Sequence, residues 1–260
     1  MKKIRAFDVF GNIAIAKFPK GFKLTEKKKF ANKILKDNNS IKTVLEKVGK
    51  FSGRLRKMQT KYVTGEKTKE VLYKENSCVF RFNIDKTYFS SRLSNERKEI
   101  ASEIKKGDNV LVMFAGVAPF SIVIAKNSKA EKVYSNEINR EANKYTKLNI
   151  ELNKVKDKVE LLSGDIKKVV ETAQCPRFDV VVMPRPQLKD TFLEQAFKVS
   201  KKNTRIYYYD FCKEDEVDSI TIKIKQEAKK AKKKIKILKI KSAGEIAPYK
   251  IRVRVDLKVL

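Results

Sequence analysis

Hydrophobic positions change their spacing once along this chain. Over residues 1–86 they come as short alternating segments and brief helical pieces. Residues 7–16 read as a strand with a turn or bulge at Gly11, 25–35 as an amphipathic helix, and 42–48 as a helix. A basic cluster opens 53–65, and 70–73 and 78–84 alternate like paired strands. This predicts a small α+β domain over residues 1–86. From about residue 88 the pattern becomes one of apolar strands alternating with longer amphipathic helices. It gives helix 94–105, strand 109–113, helix 119–127, strand 132–136, helix 140–152 and strand 159–163. A short helix near 166–172, strand 179–183, helix 189–199 and strand 204–211 follow. Strands separated by helices of this length require right-handed crossovers and a parallel sheet. A helix over 216–234 and alternating stretches 235–241 and 250–257 complete a domain of residues 87–260, the last two as an antiparallel hairpin at the sheet edge. The fold class is therefore α/β, with a Rossmann-like sheet behind a small N-terminal α+β domain.

Composition narrows the chemistry. The 61 Lys+Arg outnumber the 31 Asp+Glu and give a formal charge of +30, a field suited to a polyanionic partner. The chain has no His, and Cys78, Cys175 and Cys212 stand far apart, so neither a zinc cluster nor a His-based triad can be assembled, and no metal is expected. With no signal-like start and no apolar run near 18 residues, the expectation is a soluble cytoplasmic protein that does not engage a membrane.

Ligands of open parallel sheets bind outside the carboxyl ends of the strands, so the loops after residues 113, 136, 163 and 183 are expected to line one crevice. The first carries Phe114, Ala115, Gly116, Val117, Ala118 and Pro119, where Gly116 lets backbone approach a ligand. It is not the three-glycine dinucleotide fingerprint. The second places Glu137 to accept hydrogen bonds from ribose hydroxyls, and the third offers Gly164-Asp165 to a purine amine.

The segments YFSSRLSNER (88–97), VLVMFAGVAPFSI (110–122), VYSNEIN (133–139), VVVMPRP (180–186), IYYYDF (206–211) and APYKIRV (247–253), with FDVFGNIAIAKFP (7–19), resemble one family across nearly the whole chain. It is the archaeal and eukaryotic tRNA guanine-37 N1-methyltransferases with their wyosine-pathway relatives, among them the 4-demethylwyosine C7-methyltransferases. The resemblance implies a class I methyltransferase fold with S-adenosylmethionine as methyl donor, preceded by a small tRNA-contacting module. Tyr88 and the turn Phe114, Ala115, Gly116, Val117 and Pro119 would surround the donor's methionine part, Glu137 its ribose and Asp165 its adenine. Ile138, Ile166 and Arg97 would complete that site. In the RLxxER segment Arg92 and Glu96 fall on the catalytic side, with Glu96 as the base. Arg56 or its neighbour Arg54 would grip the target base, and Arg54, Lys57 and Lys61 would contact RNA. A ring proton must leave as the methyl arrives, which requires a carboxylate within reach and a cation near the base's carbonyl oxygen.

Departures from the pattern shape the acceptor side. Val112 stands where an acid is usual, Ala118 where a glycine is usual, and Pro184-Arg185-Pro186 replaces an Asn-Leu-Pro turn. Pro184 offers the base edge no side-chain hydrogen bond, so Pro184 and Pro186 would wall a slot suited to the tricyclic 4-demethylwyosine. The expected partner is the anticodon arm of a tRNA, tRNA-Phe in the wyosine route, bound by a monomer. Lys27–Lys29, Lys57, Lys61, Tyr62 and Phe51 are the expected RNA-contacting group of the first domain, and the lysines of helix 216–234 form either a second phosphate contact or a solvated face. Two other readings share the fold: transfer of the donor's aminocarboxypropyl group, and a non-catalytic RNA-binding relative.

Overall fold

The computed structural model describes residues 7–49, 53, 55, 58–172 and 175–260, so Phe51, Arg54, Arg56 and Lys57 lie outside the described residues. The chain forms two compact units, Met1–Ser91 and Arg92–Leu260.

In the first unit β1 (Phe7–Phe10) and β2 (Ile13–Ala16) form a hairpin whose turn uses Gly11 at φ 54°. The helix α1 (Leu24–Asp37) then crosses to β3 (Thr43–Lys47), which lies parallel to β2, and β4 (Thr60–Gly65) closes a sheet of order β1-β2-β3-β4. Residues 42–48 are thus a strand, correcting the expected helix. Thr43, Val44 and Leu45 are buried in succession on both faces of the sheet, a pattern that a seven-residue window cannot distinguish from a buried helical turn. The side chain of Asn12 ties the hairpin to β5 (Glu70–Glu75), donating to Glu70 O at 3.2 Å and accepting from Leu72 N at 2.8 Å. The pairing of β5 with β6 (Cys78–Asn83) is antiparallel, and Phe82 of β6 stacks on Phe89 at 4.7 Å.

Gly65 has φ 91°, and a Cβ there would collide with the carbonyl of Lys42 on the neighbouring chain segment. Gly65→Ala is therefore expected to cost about 2 kcal/mol or more, since steric overlap with backbone adds to the left-handed strain. A urea midpoint within 0.2 M of the parent, at unchanged slope, would refute that (about 0.4 kcal/mol at the usual slope).

The second unit begins with α2 (Ser94–Glu103), β7 (Asn109–Val112), α3 (Pro119–Asn127), β8 (Lys132–Glu137), α4 (Arg140–Leu152), β9 (Val159–Ser163) and the short α5 (Ile166–Val169). It continues through β10 (Phe178–Met183), α6 (Leu193–Lys198), β11 (Ser200–Lys213), α7 (Val217–Lys230) and the hairpin β12 (Ile235–Ala247) to β13 (Lys250–Val259). The seven-stranded sheet runs β12-β13-β11-β10-β7-β8-β9, with β13 antiparallel to both its neighbours. The hairpin is antiparallel as expected, but its second strand inserts between β11 and β12, which leaves β12 at the edge. The central strands β7 and β10 read VLV and VVVM because helices cover both their faces. Strand order reverses between β7 and β10, which places a crevice outside their carboxyl ends.

Four helices are shorter than their periodicity suggests, with α2 ending at Glu103 and α5 at Val169. α6 starts at Leu193 because Phe192 takes φ 56° and Asp190 Oδ1 accepts its N–H, so residues 189–192 form a capped loop. α7 stops at Lys230 ahead of Lys232 at φ 53°. No helix among the described residues is long and apolar enough to cross a membrane.

Candidate functional site

The loop leaving β7 has an unusual backbone: Phe114, Gly116 and Ala118 all take positive φ, at 56°, 60° and 65°. Two of the three carry a Cβ, and such strain persists only where the surroundings over-determine it. Ala115 N donates to Asn136 O of β8 at 2.8 Å, and Gly116 N donates to the Glu137 carboxylate at 2.8 Å. The buried side chains of Thr146 and Asn149 on α4 donate to Gly116 O and Val117 O, each at 3.2 Å. The loop is thus held from below by a helix and from the side by a strand.

Glu137 sits at the centre of this frame. One carboxylate oxygen accepts Gly116 N and the other accepts Asn139 N at 2.7 Å, so both are oriented while each keeps lone-pair capacity. Burial raises its pKa, against the backbone N–H groups of Asn139, Gly116 and Ile138 that hold it down. Gly164 N donates to Glu137 O at 2.9 Å, bringing the β9 turn alongside, where Asp165 caps α5 by accepting Lys167 N at 3.1 Å. Glu137, Ile138, the 114–119 turn, Asp165 and Ile166 therefore meet at the carboxyl ends of adjacent strands. Tyr88 belongs to the first unit.

The RLxxER segment divides by depth. Arg92 is exposed, whereas Glu96 and Arg97 are buried in the first turn of α2. Arg97 lies over the Phe120 ring at 5.6 Å, and Phe120 meets Tyr209 edge-on at 6.0 Å. Glu96 Oε1 pairs with Lys241 at 2.8 Å; its Oε2 accepts Tyr209 OH at 2.8 Å and Arg254 Nη1 at 3.0 Å. Arg254 has no exposed surface and also holds Glu99 at 2.8 Å and Asp256 at 2.7 Å. Lys241 at 2.5 Å and Lys239 at 3.3 Å complete the pairing of Glu99. Burial alone would raise the pKa of Glu99, yet the hydrogen bonds and charge of Lys241 and Arg254 bring it down to about 2.

Pro184 and Pro186 flank Arg185, which is buried. Its guanidinium reaches Asp210 on β11 at 2.5 Å, while Phe192, at the far end of the same loop, meets Phe114 edge-on at 4.9 Å.

Residues with evident roles escaped the sequence reading. Asn139, Asn143, Thr146, Asn149 and Asn153 are all buried along α4 and its ends. Their spacing of three and four was a readable signal: a polar stripe where the core-facing stripe should be apolar implies backbone to be bonded there. On the first unit, Lys61 and Tyr62 are exposed. Lys27 pairs with Glu46 at 2.7 Å and lies over the Phe18 ring. No group of three or more Cys, Asp or Glu side chains placed to hold a metal ion occurs among the described residues.

A Glu137→Gln variant is expected to bind S-adenosylmethionine about 10- to 100-fold more weakly, because the amide would turn a donor toward one of two backbone N–H groups and lose charge-assisted bonds to ribose. An unchanged dissociation constant by titration calorimetry would remove Glu137 from the donor site.

Comparison with known proteins identifies the family. The chain matches the TRM5/TYW2 methyltransferase domain over residues 71–238. It is 33% identical to the tRNA (guanine(37)-N(1))-methyltransferase Trm5b of Pyrococcus abyssi over 98% of this chain and 74% of that protein. It is 30% identical to the tRNA (guanine(37)-N(1))/4-demethylwyosine(37)-methyltransferase Taw22 of Nanoarchaeum equitans, over 98% of this chain and 100% of that one. Among solved structures, the complex of aTrm5 with tRNALeu superposes with a TM-score of 0.85 at 27% identity, over 99% of this chain and 73% of that one. The chain thus belongs to the TRM5/TYW2 family of S-adenosylmethionine-dependent tRNA methyltransferases.

Proposed function

We propose that this enzyme methylates the purine at position 37 of a tRNA, with 4-demethylwyosine as its preferred acceptor over guanosine. The observation that carries the reading is the pairing of a Glu137-centred donor frame with an acceptor loop whose flanking side chains, Pro184 and Pro186, cannot hydrogen-bond a base edge. The two relatives described above are named for methylation at position 37, one for guanosine alone and one for both acceptors.

The bound donor supplies a methyl on a sulfonium, which leaves as a thioether when the methyl–acceptor bond forms. The chain's residues do the rest. Glu137 holds the donor's ribose, with Ile138, Asp165 and Ile166 around the adenine and Phe114, Ala115, Gly116, Val117 and Pro119 beside its methionine part. Glu96 takes the proton that the acceptor ring must lose, whether from nitrogen or from carbon. A carboxylate has about four lone-pair sites; Lys241, Tyr209 and Arg254 occupy three, so one is left for that proton. Arg56 opposes the base's carbonyl oxygen, while Arg54, Lys57 and Lys61 meet the phosphates, with Arg92 near the reacting groups and Arg97 and Tyr88 among the donor-binding residues. On this reading a monomer engages the anticodon arm of tRNA-Phe in the cytoplasm without a metal.

The test is incubation with donor and either unmodified tRNA or tRNA bearing 4-demethylwyosine, followed by mass spectrometry of the nucleoside at position 37. Faster methylation of the tricycle is expected. Methyl found only on N1 of guanine would overturn the preference, and none on either tRNA would overturn the reading.

A further inference from the structure

The loop joining β10 to α6 is built around one buried cation. Arg185 N donates to Met183 O at 2.7 Å, turning the side chain inward, where Nη1 meets Asp210 Oδ1 at 2.5 Å and Nη2 bonds both Leu188 O at 2.5 Å and Asp190 O at 2.8 Å. Its plane lies over the Tyr208 ring at 5.7 Å. The same guanidinium therefore binds a strand carboxylate and two carbonyls of its own loop. Asp210 is in turn fixed by Tyr208 OH at 2.8 Å and by Lys223 of α7 at 3.3 Å.

The loop so shaped touches the rest of the site at two more points. Asp190 pairs with Lys167 of α5 at 2.6 Å, next to the Asp165 cap. Phe192, held at φ 56° with its N–H on Asp190 Oδ1 at 2.9 Å, abuts Phe114 of the donor turn.

Stability does not account for this arrangement. Replacing both partners of a buried ion pair by apolar residues of similar size is commonly neutral or stabilising. Here Arg185 Nε is buried with no hydrogen-bond partner, a further cost that leucine would avoid. What leucine could not do is bind two carbonyls and a carboxylate in one plane. We infer that Arg185 is a positioning residue, which presets the Pro184–Phe192 loop as the rigid wall of the acceptor slot before RNA arrives. The kinetic consequence rests on the tRNA-methylation reading; the structural one does not.

Arg185→Leu tests it with two independent readouts. In hydrogen–deuterium exchange the Phe192 and Leu193 amides should exchange at least tenfold faster than in the parent, while β7 and β8 amides stay protected. In steady-state methylation kcat should fall about 100-fold, the scale of a reacting geometry displaced by about 1 Å. The donor dissociation constant should stay within threefold, since Glu137 and α4 hold the donor turn independently, while the melting temperature falls because Asp210 loses a buried partner. Should Arg185→Leu fail to fold with Asp210 left behind, Arg185→Leu/Asp210→Asn removes both charges and should show the same exchange and the same kinetic loss. Unchanged exchange at Phe192 in a folded variant overturns the inference, as does a kcat that falls only in proportion to lost folded protein. A parent protein that methylates neither tRNA would reject the proposed function, and the exchange measurement would still decide the role of Arg185.

Discussion

Arg254→Met is expected to destabilise the protein by about 3–5 kcal/mol, the usual loss when one partner of a buried ion pair is removed. For a unit of this size that is a fall in melting temperature of roughly 6–20 °C. Arg254 has no exposed surface and pairs with Glu96, Glu99, Glu103 and Asp256. Without it four carboxylates face one another with, among the described residues, Lys239 and Lys241 paired to them. If Arg254 behaved as a surface partner instead, the loss would be below about 1 kcal/mol, so calorimetry separates the cases. Adding Glu96→Gln and Asp256→Asn to Arg254→Met should restore part of the loss by removing uncompensated charge.

The same cluster has a signature in acid. The pKa of Glu99 is about 2 in the folded protein against an ordinary 4.5, so its contribution is complete above pH 4.5 and is lost as pH falls toward 2. Asp256 works the other way, because burial raises its pKa despite Arg254. Glu99→Gln should therefore be destabilising at neutral pH, and its difference from the parent should shrink between pH 4.5 and 2.

How much of this was legible in the sequence depended on the range of the interaction. The β7–α3–β8–α4–β9 alternation was readable because each element carries its own period and caps, as with Pro119 at the start of α3 and Asn139 capping α4 by accepting Glu141 N at 3.1 Å. The strand at 43–47 was not, because its assignment is decided by pairing with β2 and β4. Glu137 was recoverable from its place at a strand end followed by a helix start. The Arg254 cluster was not, since Glu96 and Arg254 are 158 residues apart and nothing local in IRVRV says which carboxylates its arginines meet. Arg185 was visible as a departure within Pro-Arg-Pro, but its inward turn depends on Asp210 lying beside it on β11. Only the α4 polar stripe was both local and overlooked.

Glu96→Gln should lower kcat by about 10²- to 10⁴-fold, the range that a positioned base contributes, while leaving the donor dissociation constant within threefold. The substitution preserves shape and keeps one carbonyl oxygen to accept from Tyr209 and Arg254, so the surroundings need not collapse. Its structural cost is limited because Arg254 retains Glu99 and Asp256, and Lys241 retains Glu99. A purely structural role would lower stability and activity together, and kcat per folded molecule would then match the parent. Lys241→Met gives the complementary check: it removes a cation from Glu96 without touching Tyr209 or Arg254, so it should change kcat per folded molecule, whereas a structural pair would change only the melting temperature. A Glu96→Gln enzyme retaining more than about a tenth of parental kcat would move the base elsewhere, since a lost general base costs at least tenfold more than that.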